Sequence, residues 1–216
     1  MRFFRVLPLI LILIGAGVLW LTRPRLDDLI APPSDDKTII CQSNLRRIAL
    51  AFAQYAQDFD GKFPRGVDPE DRAPQTWNEG YGGEYSASAQ SAPLLHELLA
   101  PYLRDGKVWH CPADVGWGAT RPEFPSRLGA VAPSSFARFG TSYFYYTIHG
   151  FAELRPQDLP DPSRELLVFD GDFWHRSETG KSLNALFGDG HVENLTASKF
   201  NALGEAQTQF LESLSP

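Results

Sequence analysis

The sequence predicts an α+β fold: an N-terminal membrane helix, then a long amphipathic helix packed on a small antiparallel sheet with long loops. Three observations carry that expectation. Residues 6–21 are an almost unbroken run of Val, Leu, Ile, Gly, Ala and Trp. Residues 41–64, CQSNLRRIALAFAQYAQDFDGKFP, place apolar side chains at spacings of three and four, the period of one helix face. Short runs rich in aromatic and branched residues at 142–148, 165–169, 183–187 and 191–195 read as strands, the last two flanking a Gly188-Asp189-Gly190 turn.

The apolar run is a little short of the roughly 20 residues that cross a bilayer core. Phe3, Phe4 and Thr22 extend it, and Trp20 sits where an interfacial ring belongs. A cleaved signal peptide is the competing reading, with Arg2 and Arg5 as its charged start and Gly15-Ala16-Gly17 as a cleavage site placed inside the apolar run. Arg2 and Arg5 are matched by Arg23 and Arg25, so the flanks do not orient the segment. Pro24 and Ala31-Pro32-Pro33 interrupt helical continuity by removing amide donors and restricting the preceding residues. The chain therefore divides into an anchor, 1–23, a Pro-rich hinge, 24–34, and one domain, 35–216.

Ser34, Asp35 and Asp36 suit a helix start, because their oxygens accept from free amides and favour the positive helix end. Leu45, Ile48, Ala49, Phe52, Ala56 and Phe59 form the expected buried stripe, with Ile48, Phe52 and Phe59 meeting Tyr143, Tyr145, Leu167 and Phe169 of the strands. Gly61 supplies a left-handed stop and Pro64 prevents resumption. Residues 65–92 lack a sustained period and read as a surface loop carrying Trp77, Tyr81 and Tyr85. Residues 93–103 read as a short helix buried through Leu94, Leu95, Leu98, Leu99 and Tyr102, and residues 112–140 as a second loop. A closing helix spans 196–214, with Phe200, Leu203, Phe210 and Leu214 spaced along it.

In a chain of 216 residues, fifteen Phe, seven Tyr and five Trp are enough for one substantial core. The formal net charge is −6, and no basic cluster exists beyond the arginines flanking the apolar run. Nucleic acid is not an expected partner.

Cys41 and Cys111 are the two cysteines; they read either as a disulfide closing a long loop or as two buried thiols. Neither CxxC spacing nor a basic neighbour suggests a redox catalyst, and zinc would need further ligands. Asp170-Gly171-Asp172 with His175, and Asp189 with His191, gather oxygen and imidazole groups at strand ends. Asp170, Asp172 and Asp189 are the candidate metal ligands, calcium being the cation that tolerates carboxylates from two irregular loops. Gly-flanked aspartates are equally turn residues, since their side chains bond the backbone two residues on; a catalytic carboxylate is the third reading. Gly180-Lys181-Ser182 fails as a phosphate loop because His175 stands where that motif needs glycine. His96, His149 and His191 have no Ser or Cys in a nucleophile turn beside them, so no catalytic residue is assigned and no enzyme is expected. Trp77, Tyr81, Tyr85, Trp109 and Trp117 read either as loop packing or as a binding face for carbohydrate or peptide.

Asn44-Leu45-Arg46-Arg47-Ile48-Ala49-Leu50-Ala51, Tyr55-Ala56-Gln57-Asp58 and Gly61-Lys62-Phe63-Pro64 resemble the helix of bacterial pseudopilin-like proteins of the large H-x9-DG group. In the same order follow Leu98 to Leu103, Val108-Trp109-His110-Cys111-Pro112-Ala113-Asp114, Ser142-Tyr143, Pro162-Ser163-Arg164, Leu167-Val168-Phe169-Asp170 and Leu186-Phe187-Gly188-Asp189-Gly190-His191-Val192. The resemblance covers about residues 41–195. It implies a non-catalytic, membrane-anchored component of a type II secretion or type IV pilus-like assembly, with other pseudopilin or secretion-assembly proteins as partners. Together with the cysteine usage it places the domain outside the cytoplasm, and the calcium loops of type II pseudopilins add to the calcium expectation. The chain departs from the pattern in two places: it opens MRFFRVLPLILILIGAGVLW without the cleavage-motif glutamate, and SETGKS lengthens the stretch between His175 and Asp189-Gly190. Together with the proline interruption, this leaves an alternative in which a stand-alone envelope-anchored binding protein retains the fold.

Overall fold

The computed structural model describes residues 34–72, 86–120, 128–177 and 180–213. The anchor, most of the hinge and the aromatic trio Trp77, Tyr81 and Tyr85 lie outside the described residues. Among the described residues no helix is long and apolar enough to cross a membrane. The described residues between 34 and 213 form one compact unit.

Helix α1 spans Ser34–Asp58 without a Gly or Pro to break it. It buries Cys41, Leu45, Ile48, Ala51, Phe52 and Tyr55. The expected stripe holds for Leu45, Ile48 and Phe52, while Ala49 and Ala56 are half-buried. Phe59 departs from it: the helix has already ended, and the ring lies 47% exposed, stacked on Tyr55 at 4.1 Å. The stop is shared by two residues, Asp60 at φ 54° and Gly61 at φ 79°, and the Gly61 amide donates to the Ala56 carbonyl at 2.8 Å in the Schellman manner.

The stretch read as a loop over 65–92 contributes more than surface. Val67 is fully buried and bridges Leu94 in parallel, and helix α2 occupies Ser86–Ser91. Helix α3, Leu95–Leu98, is shorter than the expected element. The 112–140 stretch holds helix α4, Ser135–Phe139, and a Trp117–Val131 bridge. Ser142 to Ile148 resolves into strand β1, Tyr143–Tyr145, followed by helix α5, Ile148–Phe151. A Cβ on Gly150 would fall 2.0 Å from the Pro64 carbonyl oxygen, so the backbone contact between α5 and the segment after α1 requires glycine.

Strands β2 (Leu166–Asp170), β3 (His175–Ser177), β4 (Gly180–Phe187) and β5 (Val192–Thr196) complete a five-stranded antiparallel sheet. Helix α6, Ala197–Ser213, follows and buries Phe200, Leu203 and Leu211. Strand β4 organises the sheet. Its 182–186 segment pairs β5 on one edge; on the other, its C-terminal half pairs β2 and its N-terminal half pairs β3. The segment Gly171–Trp174 steps out between the two strands that share this edge.

Both faces of the sheet are covered. Tyr143, Tyr145, Val168 and Leu186 pack under α1, while Phe144, Leu166, Phe169, Leu183 and Phe187 pack with Trp117 and α6 residues on the opposite face. A register shift between Leu166 and Val168 lets consecutive Leu167 and Val168 join the α1 side. One extra residue in a strand does this by breaking the alternation of faces.

Candidate functional site

A polar seam runs across the α1 face of this otherwise apolar sheet. Tyr143 of β1, Asp170 of β2, His175 of β3, Asn184 of β4 and Asn194 of β5 all contribute, and Thr38, Cys41, Gln42 and Asn44 meet them from α1. Alternation along β4 explains part of it. Leu183 and Ala185 point to the α6 side, so Ser182 and Asn184 face α1.

The shared edge of β4 explains the rest. Asp170 closes β2 and His175 opens β3, and the outward step between them leaves the two side by side against Asn184 and Ser182. Asp170 Oδ2 accepts from the Asn184 amide at 2.6 Å and from Asn184 Nδ2 at 2.9 Å. Asn184 Oδ1 in turn accepts from Gln42 and Asn194, at 3.3 and 3.0 Å. His175 Nε2 stands 3.2 Å from Asp170 Oδ2 and 3.4 Å from Cys111 Sγ.

Cys41 and Cys111 are joined in a disulfide across a separation of 70 residues, with a Cα–Cα distance of 5.1 Å. A disulfide sulfur carries no proton, so His175 Nε2 is the donor to Cys111. In the neutral ring, His175 Nδ1, 3.0 Å away from the Thr38 hydroxyl, is left to accept from it. Asn44 Nδ2 donates to the His110 carbonyl at 2.9 Å and to the Tyr143 hydroxyl at 3.2 Å. Burial pushes the Tyr143 phenol well above its ordinary range, and the Asp170 charge adds to the rise against the Asn44 bond.

Cys41, Cys111, Asp170 and Asn184 are completely buried, and His175 nearly so. Two polar atoms in the seam lack a hydrogen-bond partner: Asp170 Oδ1 and Ser182 Oγ. A buried group left in this way normally costs free energy, so each needs a reason.

The expected calcium set does not converge. Asp170 lies at the Tyr143 end of β2, and Asp189 lies beyond Phe187, the partner of Leu166 at the other end. Four residues of strand separate these ends, about 13 Å. Asp189 accepts from the His191 amide at 3.0 Å and pairs with the His191 ring at 2.6 Å. Its carboxyl is held below the ordinary range: burial acts to raise it, and the bonds and charge from His191 overcome that. Asp172 Oδ1 accepts from the Phe173 amide at 2.7 Å. Asp172 and Asp189 therefore sit as turn residues, and Asp170 belongs to the seam. Gly180-Lys181-Ser182 lies within β4.

Four further polar residues organise the surroundings. Asp114 is a buried hub whose two oxygens accept from the amides of Gly116, Ser135 and Phe136 and from the Ser142 hydroxyl, at 2.7 to 2.9 Å. Gln207 of α6 clamps both the amide and the carbonyl of Leu166, at 2.9 and 3.0 Å. Beside it, His149 Nε2 and Glu165 Oε2 lie 3.7 Å apart in the core. No sequence spacing announces Gln207 or Asn184; each is set by tertiary pairing alone.

The second feature is an apolar groove of about 160 Å³ between the C-terminal half of α1 and the β4–β5 turn. Ala49, Phe52, Ala53, Leu167 and Leu186 line it, with Gly188 to Gly190 at its rim.

No protein-family model, curated protein or solved structure matches this chain.

Proposed function

We propose that this protein is a membrane-anchored, non-catalytic pseudopilin-like component of a type II secretion or type IV pilus-like assembly, with its domain outside the cytoplasm. The observation that carries this reading is the two-sidedness of α1. Its inner face is buried on an antiparallel sheet, while Ile39 and Leu50 are 61% and 64% exposed. Eleven residues at 3.6 per turn bring these two to within about 20° of each other, opposite the buried face. Two exposed apolar side chains on one line of the helix, with Ser43 and Arg46 between them, on the element that follows an apolar N-terminal segment fit a shaft that packs against neighbouring helices. The ordered motifs from Asn44 to Val192 and a disulfide suited to an oxidising compartment support the same reading.

The test is crosslinking in native membranes from cysteines introduced as Ile39→Cys and Leu50→Cys, with identification of the products. Products with pilin-like proteins or other secretion-assembly components support the proposal. Absence of that class from both positions, with the chain present and folded, overturns it. The alternative reading, an envelope-anchored binding module, is favoured by the groove under α1. Ala56→Trp would fill the groove from a position that does not adjoin Ile39 or Leu50 on the helix surface, so loss of a bound ligand with crosslinks retained separates the two.

A further inference from the structure

The disulfide is embedded in a ligand set. Cys41, Cys111, His175 and Asp170 each offer one ligand atom, and these atoms lie within 4.8 Å of one another. We propose that the dithiol form of this chain holds a single thiophilic divalent cation of the zinc class on these four side chains, so that disulfide formation and metal binding exclude one another. The inference does not depend on the assembly role.

Geometry supports it first. A tetrahedral zinc ion with bonds of about 2.1 Å to nitrogen and oxygen and 2.3 Å to sulfur needs ligand atoms about 3.4 to 3.8 Å apart. His175 Nε2 already lies 3.4 Å from Cys111 Sγ and 3.2 Å from Asp170 Oδ2, the oxygen held by Asn184 on the same carboxylate as the proposed ligand atom Oδ1. Opening the sulfur–sulfur bond lets the two cysteine sulfurs move apart to that range.

The orphaned oxygen is an independent observation. Asp170 Oδ2 is committed to two donors from Asn184, whereas Oδ1 is fully buried with no hydrogen-bond partner. A carboxylate fixed through one oxygen, with the other free, is arranged as a monodentate metal ligand. The next shell fits as well. Ligation through Nε2 moves the ring proton to Nδ1, where the Thr38 hydroxyl switches from donor to acceptor at the same 3.0 Å contact. Metal-bound histidines commonly hold their second nitrogen in this way.

The chemistry balances. A dithiol reductant delivers two electrons and two protons to the Cys41–Cys111 bond, leaving two thiols and itself becoming a disulfide. A divalent cation then displaces the two thiol protons, and the thiolates, imidazole and carboxylate complete a closed four-ligand site. Two thiolates and a buried carboxylate without the cation would crowd negative charge in the core; the metal offsets it.

The test uses untagged full-length chain in detergent, reduced with a phosphine in denaturant and refolded without oxygen, with cobalt as the spectroscopic probe and zinc as competitor. One cobalt per chain should bind with thiolate-to-cobalt charge-transfer bands and tetrahedral d–d bands. Zinc should displace it, and the oxidised chain should show neither. Loss of an outer-shell partner costs about 10- to 100-fold in affinity, so His175→Ala and Asp170→Asn should each weaken zinc binding by more than about 100-fold. Circular dichroism tracks folding in every sample. No cobalt bands in the reduced chain, equal affinity in both variants, or a reduced chain that stays unfolded when zinc is added would each overturn the proposal.

Discussion

His175 Nε2 stands 3.2 Å from Asp170 Oδ2 because β2 ends and β3 begins on one edge of the same strand. Pairing with two different strands would have put these residues on different edges. Their contact fixes the polar seam against which α1 is stapled, and the following expectations test how that arrangement is held.

The disulfide should contribute much of the domain's stability. For a separation of 70 residues the chain-entropy model gives about 4 kcal/mol. The double variant Cys41→Ala, Cys111→Ala removes the link without leaving a thiol. Denaturant unfolding followed by tryptophan fluorescence should show a loss of that size; a loss below about 1 kcal/mol would mean that the packing of α1 alone closes the loop.

Phe52 and Phe59 should respond in opposite ways. Phe52 is 7% exposed and meets Tyr145 edge-on at 5.6 Å, so Phe52→Ala should cost roughly 3–5 kcal/mol. Phe59→Ala loses only a stacked, half-open ring and should cost under about 1 kcal/mol. Equal effects in unfolding experiments would contradict the placement of the helix end.

Asp114 should be intolerant of change. Asp114→Ala strands three amides and a hydroxyl in a buried pocket, at about 1–3 kcal/mol for each group that water cannot reach. A combined loss of at least about 3 kcal/mol is expected, together with faster proteolysis of the segment from Cys111 to Ser142. A variant as stable as the parent would sink the hub assignment.

Asp71 should contribute stability that falls as pH rises through the weakly acidic range, the reverse of the usual carboxylate behaviour. Burial, with Glu70 adding to it against a Thr147 hydrogen bond, pushes Asp71 from 3.8 up to about 6. Burial, followed by the charge of Asp71, pushes Asp68 up as well. At Asp71 the folded state then holds more protons than the unfolded state between 3.8 and about 6, so this group's contribution to the unfolding free energy decreases with pH across that window. Asp71→Asn should flatten the slope there. A difference between variant and parent that does not change with pH would refute it.

The helical stripe was readable because period alone selects Leu45, Ile48 and Phe52, and no tertiary partner is needed to fix that face. Phe59 fits the same period in the sequence but lies past Asp58, where the helix stops and the period loses its meaning. The aromatic and branched runs of β1, β2, β4 and β5 announced strands. The β3 run, His175-Arg176-Ser177, did not, since it is short, polar and extended only through pairing with β4. Asp170 and Asp189 shared a chemistry in the sequence and lie toward opposite ends of β2 in the fold.

By itself, then, the sequence determined the α+β class, the buried face of α1 and the presence of two cysteines and several carboxylates, because these follow from local period and composition. Only the tertiary structure decided that Cys41 and Cys111 face each other, that Asp170 joins His175 rather than Asp189, and that Asn184 and Gln207 are structural hubs. Each of those is a meeting of residues far apart in the chain or split between strands, set by sheet register and by the packing of helices on the sheet, and one-dimensional spacing carries neither.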